Sequence, residues 1–451
     1  MKMTIRLYCI ILVAALLPDI SKAATGDTLK VSCFDVDATP PPGTWLVYDK
    51  MINSWDQGLR AKGIVLTGAG KPIVLCVVDW IGIANEGYDQ FCEALAEAAG
   101  TTPDRVALHA LHQHDAPVCD FGAERWLKKE GMDPLGFEGT FAREVIRRLR
   151  EAVPVAMKQA KPVTHIGLGK AEVFKVASNR RIVSDGKVIA SRTSATRDSA
   201  VRSRPEGLID PIVSLISFWN NEKPVAVLSY YATHPQSYYR TGVANPDIPG
   251  VARFFRQLAV PDALHLHFNG AGGNITAGKY NDGAHENRLI LAERLADGMQ
   301  RAWKQTVKTK ISPNDVTWRT VPVALPPKES LNTLGELLHK ETSTFVANNA
   351  SKIVWLERVK KGRTISLSSL GIGKARMVHL PGECFIEYQL AAKAVRPDLF
   401  VTVAAYGDYA PGYIGTADAY AEGGYETGQA SAVKPEVEKI LINAIKKLLA
   451  K

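Results

Sequence analysis

Short unbroken apolar runs alternate along this chain with stretches in which apolar residues recur every three or four positions. Ile73-Val74-Leu75-Cys76-Val77-Val78 has no polar interruption and is rich in β-branched residues, the pattern of a strand covered on both faces. The runs at 106–111, 226–231, 263–268, 375–380 and 400–405 predict further strands. Residues 88–99 carry a helical stripe that stops at Gly100. Residues 141–158 and 285–304 predict helices, the first broken at Pro154. A last helix has Pro435 in its first turn and Val437, Ile440, Leu441, Ala444 and Leu448 along one face. Strands alternating with helices predict an α/β or mixed α+β fold without internal repeats. Residues 179–210 break the pattern. They are rich in Arg, Ser and Gly, and two readings stand level: a solvated surface loop, or a mobile flap that meets a polar or anionic substrate group.

The first 23 residues predict an export signal. Lys2 and Arg6 precede the apolar run 7–18, and Ser21-Lys22-Ala23 is a small-x-small cleavage site. The expected product is a secreted or periplasmic chain, 24–451, forming one domain with no later membrane span. Of 451 residues, 46% are hydrophobic, enough for a large core. The formal charge of +9 changes little. Its Lys and Arg residues are scattered and form no basic helix with interleaved aromatics, so nucleic acid is not an expected partner. Six cysteines include Cys9 in the signal, leaving Cys33, Cys76, Cys92, Cys119 and Cys384. No Cys-x-x-Cys pair occurs, so buried thiols with at most one or two bridges are expected rather than a sulfur metal site.

The chemistry gathers where strands end. Val78 is followed by Asp79, and Leu108 by His109, His112, His114 and Asp115. The run ending at Tyr231 leads to His234. Phe268 leads to the run Asn269-Gly270-Ala271-Gly272-Gly273-Asn274-Ile275-Thr276, Leu380 to Glu383, and Ala405 to Tyr406, Asp408, Tyr409 and Tyr413. Loops at the carboxyl ends of parallel strands commonly build sites. Neutral imidazole is the commonest protein metal ligand, and in an extended segment His112 and His114 face the same side. The glycines permit positive φ and close backbone approach; taken alone they read as a tight strand-to-helix turn, and beside the other polar strand ends their N–H groups are candidates for an oxyanion nest. No phosphate loop follows, because the Gly-Lys-Ser/Thr sequence is missing.

The order of these motifs resembles the catalytic domain of neutral (alkaline, non-lysosomal) ceramidases. The tracts that carry the resemblance are Leu111-His112-Gln113-His114-Asp115-Ala116-Pro117, Tyr231-Ala232-Thr233-His234-Pro235, Gly273-Asn274-Ile275-Thr276-Ala277, Pro381-Gly382-Glu383, and Gly412-Tyr413-Ile414-Gly415-Thr416 followed by Tyr425-Glu426. Asn179-Arg180-Arg181 and Asp247-Ile248-Pro249-Gly250 are similar to tracts of bacterial relatives. The resemblance covers the chain from about residue 30 onwards and implies layered β-sheets flanked by helices. It implies Zn2+ held by His112, His234, Glu383 and Tyr413. It further implies hydrolysis of a small or lipid-like amide, with His114, Thr276, Tyr413 and Arg180 catalytic and Asp115, Arg181, Gly273 and Asn274 facing the substrate. The family's serine is Thr276 here, whose extra methyl and stiffer χ1 suit positioning better than nucleophilic attack. The family's aspartate is Asn274, and Asp115 replaces a serine, adding a carboxylate near the metal; Asp115 or Asp79 is expected to fix a histidine tautomer. The family's C-terminal immunoglobulin-like domain has no counterpart, which favours a general amide or ester substrate over ceramide.

Three other readings share part of the pattern. A metallo-β-lactamase-like hydrolase also carries His-x-His, but requires a further histidine just after it. An amidohydrolase barrel starts with His-x-His on a strand, but requires eight βα units. A relative that binds a lipid or glycan without cleaving it would follow from the changes at Thr276 and Asn274.

Overall fold

The computed structural model describes residues 28–334 and 343–450. The segment 1–23 expected to direct export, with Cys9, lies outside the described residues. Three similar units follow one another along the chain. In the first, β1 (Lys30–Asp37), β2 (Arg60–Thr67) and β3 (Ile73–Val78) pair antiparallel, α1 (Asn85–Ala99) crosses over, β4 (Val106–Ala110) pairs parallel to β3, and α2 (Thr140–Lys158) follows. In the second, β5 (His165–Glu172), β6 (Ile212–Asn220) and β7 (Lys223–Tyr231) are antiparallel, α3 (Asp247–Ala259) crosses over, β8 (Leu264–Asn269) lies parallel to β7, and α4 (Glu286–Lys304) follows. The third runs β9 (Val316–Val323), α5 (Ser343–Lys360), β10 (Ile365–Ile372) and β11 (Ala375–His379), then α6 (Ile386–Val395), β12 (Phe400–Ala404) parallel to β11, and α7 (Val437–Leu449).

The expectation of no internal repeat is therefore corrected: topology repeats three times. Sequence conceals this because the residues at matching places differ. Asp79, Ala232 and Leu380 follow β3, β7 and β11.

The strands nearest the junction, such as Ile73–Val78 and Val106–Ala110, are buried on both faces, which explains their unbroken apolar runs, while edge strands such as Val316–Val323 are largely open to solvent. Ile73, Leu75 and Val77 of β3 turn inward to meet Phe218, Leu228 and Phe268 of the second sheet and Leu370 and Met377 of the third. Val74, Cys76 and Val78 turn outward onto Phe91 and Leu95 of α1 and Val145 and Leu149 of α2. Helices α3 and α4 cover the second sheet, and α6 and α7 the third. Three mixed sheets around a shared core exclude an eight-stranded parallel barrel. They also depart from the two-sheet sandwich of metallo-β-lactamases. No described helix is long and apolar enough to cross a membrane.

Helix α2 runs through Pro154 without stopping, contrary to the expected break. Its buried Val153 and Ala156 flank the proline and hold the last turn against the sheet. Residues 179–210 are more ordered than a surface loop. A hairpin pairs Arg181–Ser184 with Lys187–Ser191, and Ser199–Ser203 forms a short helix. Arg192 is buried beneath them, donating to the carbonyls of Asn179 (2.9 Å), Arg204 (2.6 Å) and Pro205 (2.7 Å). The five described cysteines are all free thiols.

Two histidines inside the sheets carry a prediction. Burial holds the His109 imidazole down to about 4 and that of His267 to about 3. Both bind protons more readily unfolded, near 6.5, so their contribution to stability is present above that value and is lost as pH falls towards the folded values. Between pH 7 and pH 5 the pair removes about 4 kcal/mol from the unfolding free energy, from the spacing of the folded and unfolded values. Urea titrations at the two pH values check this, and equal stabilities would contradict it.

Candidate metal centre

The parallel edge strands converge at their carboxyl ends. Ala110 N, at the end of β4, donates to Tyr406 O after β12 (2.9 Å), and Ala405 N donates to Asn269 O at the end of β8 (2.9 Å). This junction brings the loops of all three units to one place. His112 does not sit in an extended segment as the sequence suggested. Its φ is +72°, and the matching Tyr406 has φ +61°. Two such residues cost about 1–3 kcal/mol each and are found where surrounding structure imposes them. Here their rings stack on one another, centroids 4.3 Å apart.

His112, His114 and His234 come together as a buried cluster capable of holding a metal ion, their ligand atoms within 4.8 Å of one another. His112 Nε2 lies 3.3 Å from His234 Nε2, and His114 Nε2 lies 3.1 Å from the same atom. Glu383 Oε2 is 3.3 Å from His112 Nε2 and has no hydrogen-bond partner, while Glu383 Oε1 accepts from the Tyr409 hydroxyl (2.7 Å). The chain reaches Glu383 through Gly382, whose φ is +50° and where a Cβ would stand 2.5 Å from Gly412 O. That close approach lets Glu383-Cys384 pair in parallel with Tyr413-Ile414.

Backbone carbonyls, not aspartates, fix two of the imidazoles. His112 Nδ1 donates to Ile81 O (2.6 Å), and His234 Nδ1 to Gly272 O (3.4 Å). Their Nε2 lone pairs are thereby turned into the cluster. His114 differs: its Nδ1 faces the Tyr48 hydroxyl (3.4 Å), a group that can donate or accept. Asp115 instead accepts from Arg240 N (2.8 Å) and Thr241 Oγ1 (2.6 Å), tying two loops together. Asp79 is taken by Arg253. Burial pushes His114 and His234 well below the ordinary imidazole value, with neighbouring imidazoles and Arg180 adding to the effect. Both are therefore neutral and able to act as ligands or bases.

Arg180 and Tyr413 flank the cluster. Arg180 Nη1 donates to the Tyr413 hydroxyl (3.1 Å), which also meets the Tyr425 hydroxyl (3.3 Å). Burial, and after it the Glu383 carboxylate, pushes the Tyr413 phenol well above its ordinary value, so it stays a donor. Arg181 points elsewhere, bound to Glu426, Glu422 and Ala419 O. Three donors of the expected oxyanion nest are taken: Gly270 N, Ala271 N and Gly273 N are held by Tyr231 O, Gln389 Oε1 and Cys384 O. None of Gly270, Gly272 and Gly273 uses positive φ. At Gly273 a Cβ would instead stand 2.3 Å from Glu383 O, so close approach is the reason for glycine. Asn274 braces the loop, its Oδ1 accepting from Ile386 N (2.8 Å) and its Nδ2 donating to Glu387 (3.0 Å). Thr276 Oγ1 is buried against Thr193 O (3.4 Å) and Gly278 N (3.2 Å).

A pocket of about 510 Å³ opens over the cluster, bounded also by Ser194, Gln236, Tyr239 and Tyr425. Tyr48 and Tyr239 had no signal in the sequence beyond being aromatic residues in irregular segments. Tyr409 was visible as a tyrosine after a strand, but its grip on Glu383 was not.

No family model and no curated protein matches the chain. Among solved structures, one described as ceramidase complexed with C2 is similar, at 15% identity and TM-score 0.67, covering 94% of this chain and 75% of that one. The neutral ceramidase from Pseudomonas aeruginosa is similar at 16% identity and TM-score 0.66, with 94% and 74% covered. At these identities the likeness is one of fold: a mixed α/β arrangement of layered sheets and helices.

Proposed function

We propose that the chain is a zinc-dependent hydrolase of a carboxamide or ester bond, with a small or lipid-like substrate. The observation that carries this reading is the convergence of three imidazole nitrogens and an unpartnered carboxylate oxygen in a buried pocket. The 3.3 Å separations of His112 Nε2 from His234 Nε2 and from Glu383 Oε2 suit ligands of a tetrahedral site, where zinc–nitrogen bonds of about 2.0–2.1 Å put ligands about 3.3 Å apart, and His114 Nε2, 3.1 Å from His234 Nε2, stands beside that set as the base. The fold likeness to ceramidases supports the same chemistry.

In this reading His112, His234 and Glu383 would hold the ion, the two histidines oriented by carbonyls and the carboxylate by Tyr409, while Tyr413, the fourth ligand the resemblance implies, is read as a hydrogen-bond donor because burial favours its protonated phenol. When bound, zinc supplies Lewis acidity, polarising a carbonyl oxygen and acidifying water near neutral pH. His114 Nε2 takes a proton from the attacking water and delivers it to the leaving nitrogen or oxygen. The Tyr48 hydroxyl accepts from Nδ1–H throughout, which keeps the Nε2 lone pair free to take the proton. The Tyr413 hydroxyl and the Arg180 guanidinium donate to the oxyanion as it develops. Asn274 and Thr276 position the loop that carries Gly272, and Asp115 positions the wall near His114.

The test is turnover of a panel of N-acyl amides and esters before and after chelation. Activity should vanish with chelator and return with zinc; turnover untouched by chelator would refute the reading. Tyr409→Phe should weaken zinc binding about 10- to 100-fold, as loss of an outer hydrogen bond to a ligand does. Competition with a chromogenic chelator measures it, and an unchanged affinity would remove Tyr409 from the site.

A further inference from the structure

A second cavity, about 360 Å³, adjoins the metal pocket, and Tyr48, Ile81, Glu383, Tyr409 and Tyr413 line both. Its remaining wall is mostly apolar, from Trp45, Val47, Leu135 and Phe137, with Ser351, whose hydroxyl donates to Asp120 (2.6 Å), and one charged exception. Lys352, on α5, lines it too. The Lys352 ammonium donates to Gln429 O (2.5 Å) and Asn349 Oδ1 (3.3 Å). Behind it, Lys328 Nζ donates to Gly428 O (2.6 Å) and Thr427 O. Among the described residues, every hydrogen bond of these two amines therefore ends on a neutral oxygen. Burial and then the charge of Lys328 hold Lys352 down to about 8, which leaves it a cation at neutral pH.

A half-buried cation beside a second cation, whose hydrogen bonds all end on neutral oxygens and whose charge is offset only by the Glu383 carboxylate across the cavity, is incompletely compensated, the more so once Glu383 is taken up by a metal ion. A pure hydrocarbon filling this cavity would strip away its remaining water. An occupant ending in a carboxylate would give the third ammonium donor a charged acceptor, a stronger hydrogen bond than any it now makes. We propose that this cavity is a substrate subsite for an amide that carries a carboxylate, with Lys352 as the residue that selects it. This rests on the hydrolase reading for the bond that is cut, but not for the binding itself.

Two matched pairs of compounds test it: hexanoylglycine against hexanoylglycinamide, with the charge on the amine side, and adipic acid monoamide against hexanamide, with the charge on the acyl side. Zinc-loaded wild-type protein, Lys352→Met and Lys352→Arg are compared by the ratio of kcat/KM within each pair. Where neither member of a pair is turned over, the ratio of Kd from calorimetry replaces it, so failure of the hydrolase reading does not hide the result. The wild type should favour the charged member of at least one pair by tenfold or more, and which pair shows it locates the carboxylate. Lys352→Met should bring that ratio within about threefold of unity, a loss of about 0.7 kcal/mol or more of discrimination, at 1.4 kcal/mol per tenfold. Lys352→Arg should keep it. Parity in both pairs for the wild type, or a preference that survives Lys352→Met, overturns the proposal.

Discussion

His112→Ala is expected to lose the bound metal and at least a thousandfold in turnover, whereas His114→Ala keeps the metal and still loses a hundredfold or more in kcat. The two residues are two positions apart and both lie in the cluster, so the difference comes from what holds each ring. The Nδ1 of His112 is committed to Ile81 O at 2.6 Å, and its ring is stacked on Tyr406, so its Nε2 presents a lone pair in one fixed direction. A ligand oriented in this way is preorganised, and removing it takes away an electron pair that nothing nearby replaces. His114 Nδ1 faces a hydroxyl, and its ring lies against Tyr48 and Tyr239 at the pocket wall. With Nδ1–H on that hydroxyl, Nε2 can take up and release a proton, and general acid–base catalysis is worth about 10²–10⁴-fold. Zinc content and steady-state kinetics on the same preparations separate the roles. Loss of metal in His114→Ala would make it a ligand instead.

Arg253→Met should destabilise the protein by about 3–5 kcal/mol, the usual cost of leaving one member of a buried ion pair alone. Arg253 on α3 donates from both terminal nitrogens to Asp79, at 2.8 and 2.6 Å. Both side chains are buried, and Asp79 also accepts from Arg60 N at 3.0 Å. The bond joins the end of β3 in the first unit to the crossover helix of the second. It also steadies the histidine loop, because Gln113 Nε2 donates to the Asp79 carbonyl. Denaturant unfolding at pH 7 should show the loss in full, and a change below 1 kcal/mol would mean the pair is not sealed from water.

Six of the twelve strands of the three units were legible as unbroken apolar runs that stop where the site begins, while Lys30–Asp37, Arg60–Thr67, His165–Glu172, Ile212–Asn220, Val316–Val323 and Ile365–Ile372, interrupted by polar residues or glycine, were not. Ile73–Val78 is predicted and found with the same ends. His112, His234 and Glu383 were legible for a related reason: a polar residue just after such a run has little to do in a core. The threefold topology was not legible, since equivalent strands share burial but not identity. Nor was the true work of Asp79 and Asp115. Nearness in sequence to the histidines suggested a role at the metal, while their partners, Arg253 and Thr241, lie more than a hundred residues away. The glycine run was read as a nest of donors. It serves instead as a place where Glu383 O and Gln389 can come close, which depends on chain segments that no local pattern reveals. Tyr48 sits in an irregular segment, and only the folded chain brings it to His114.

Zinc stoichiometry of the purified protein, measured by mass spectrometry for wild type beside His112→Ala and His234→Ala, tests the central claim most directly. About one zinc per wild-type chain, lost in both variants, is the predicted result. A wild-type chain that takes up no zinc even after reconstitution, or variants that keep it, would contradict a metal centre built on these histidines.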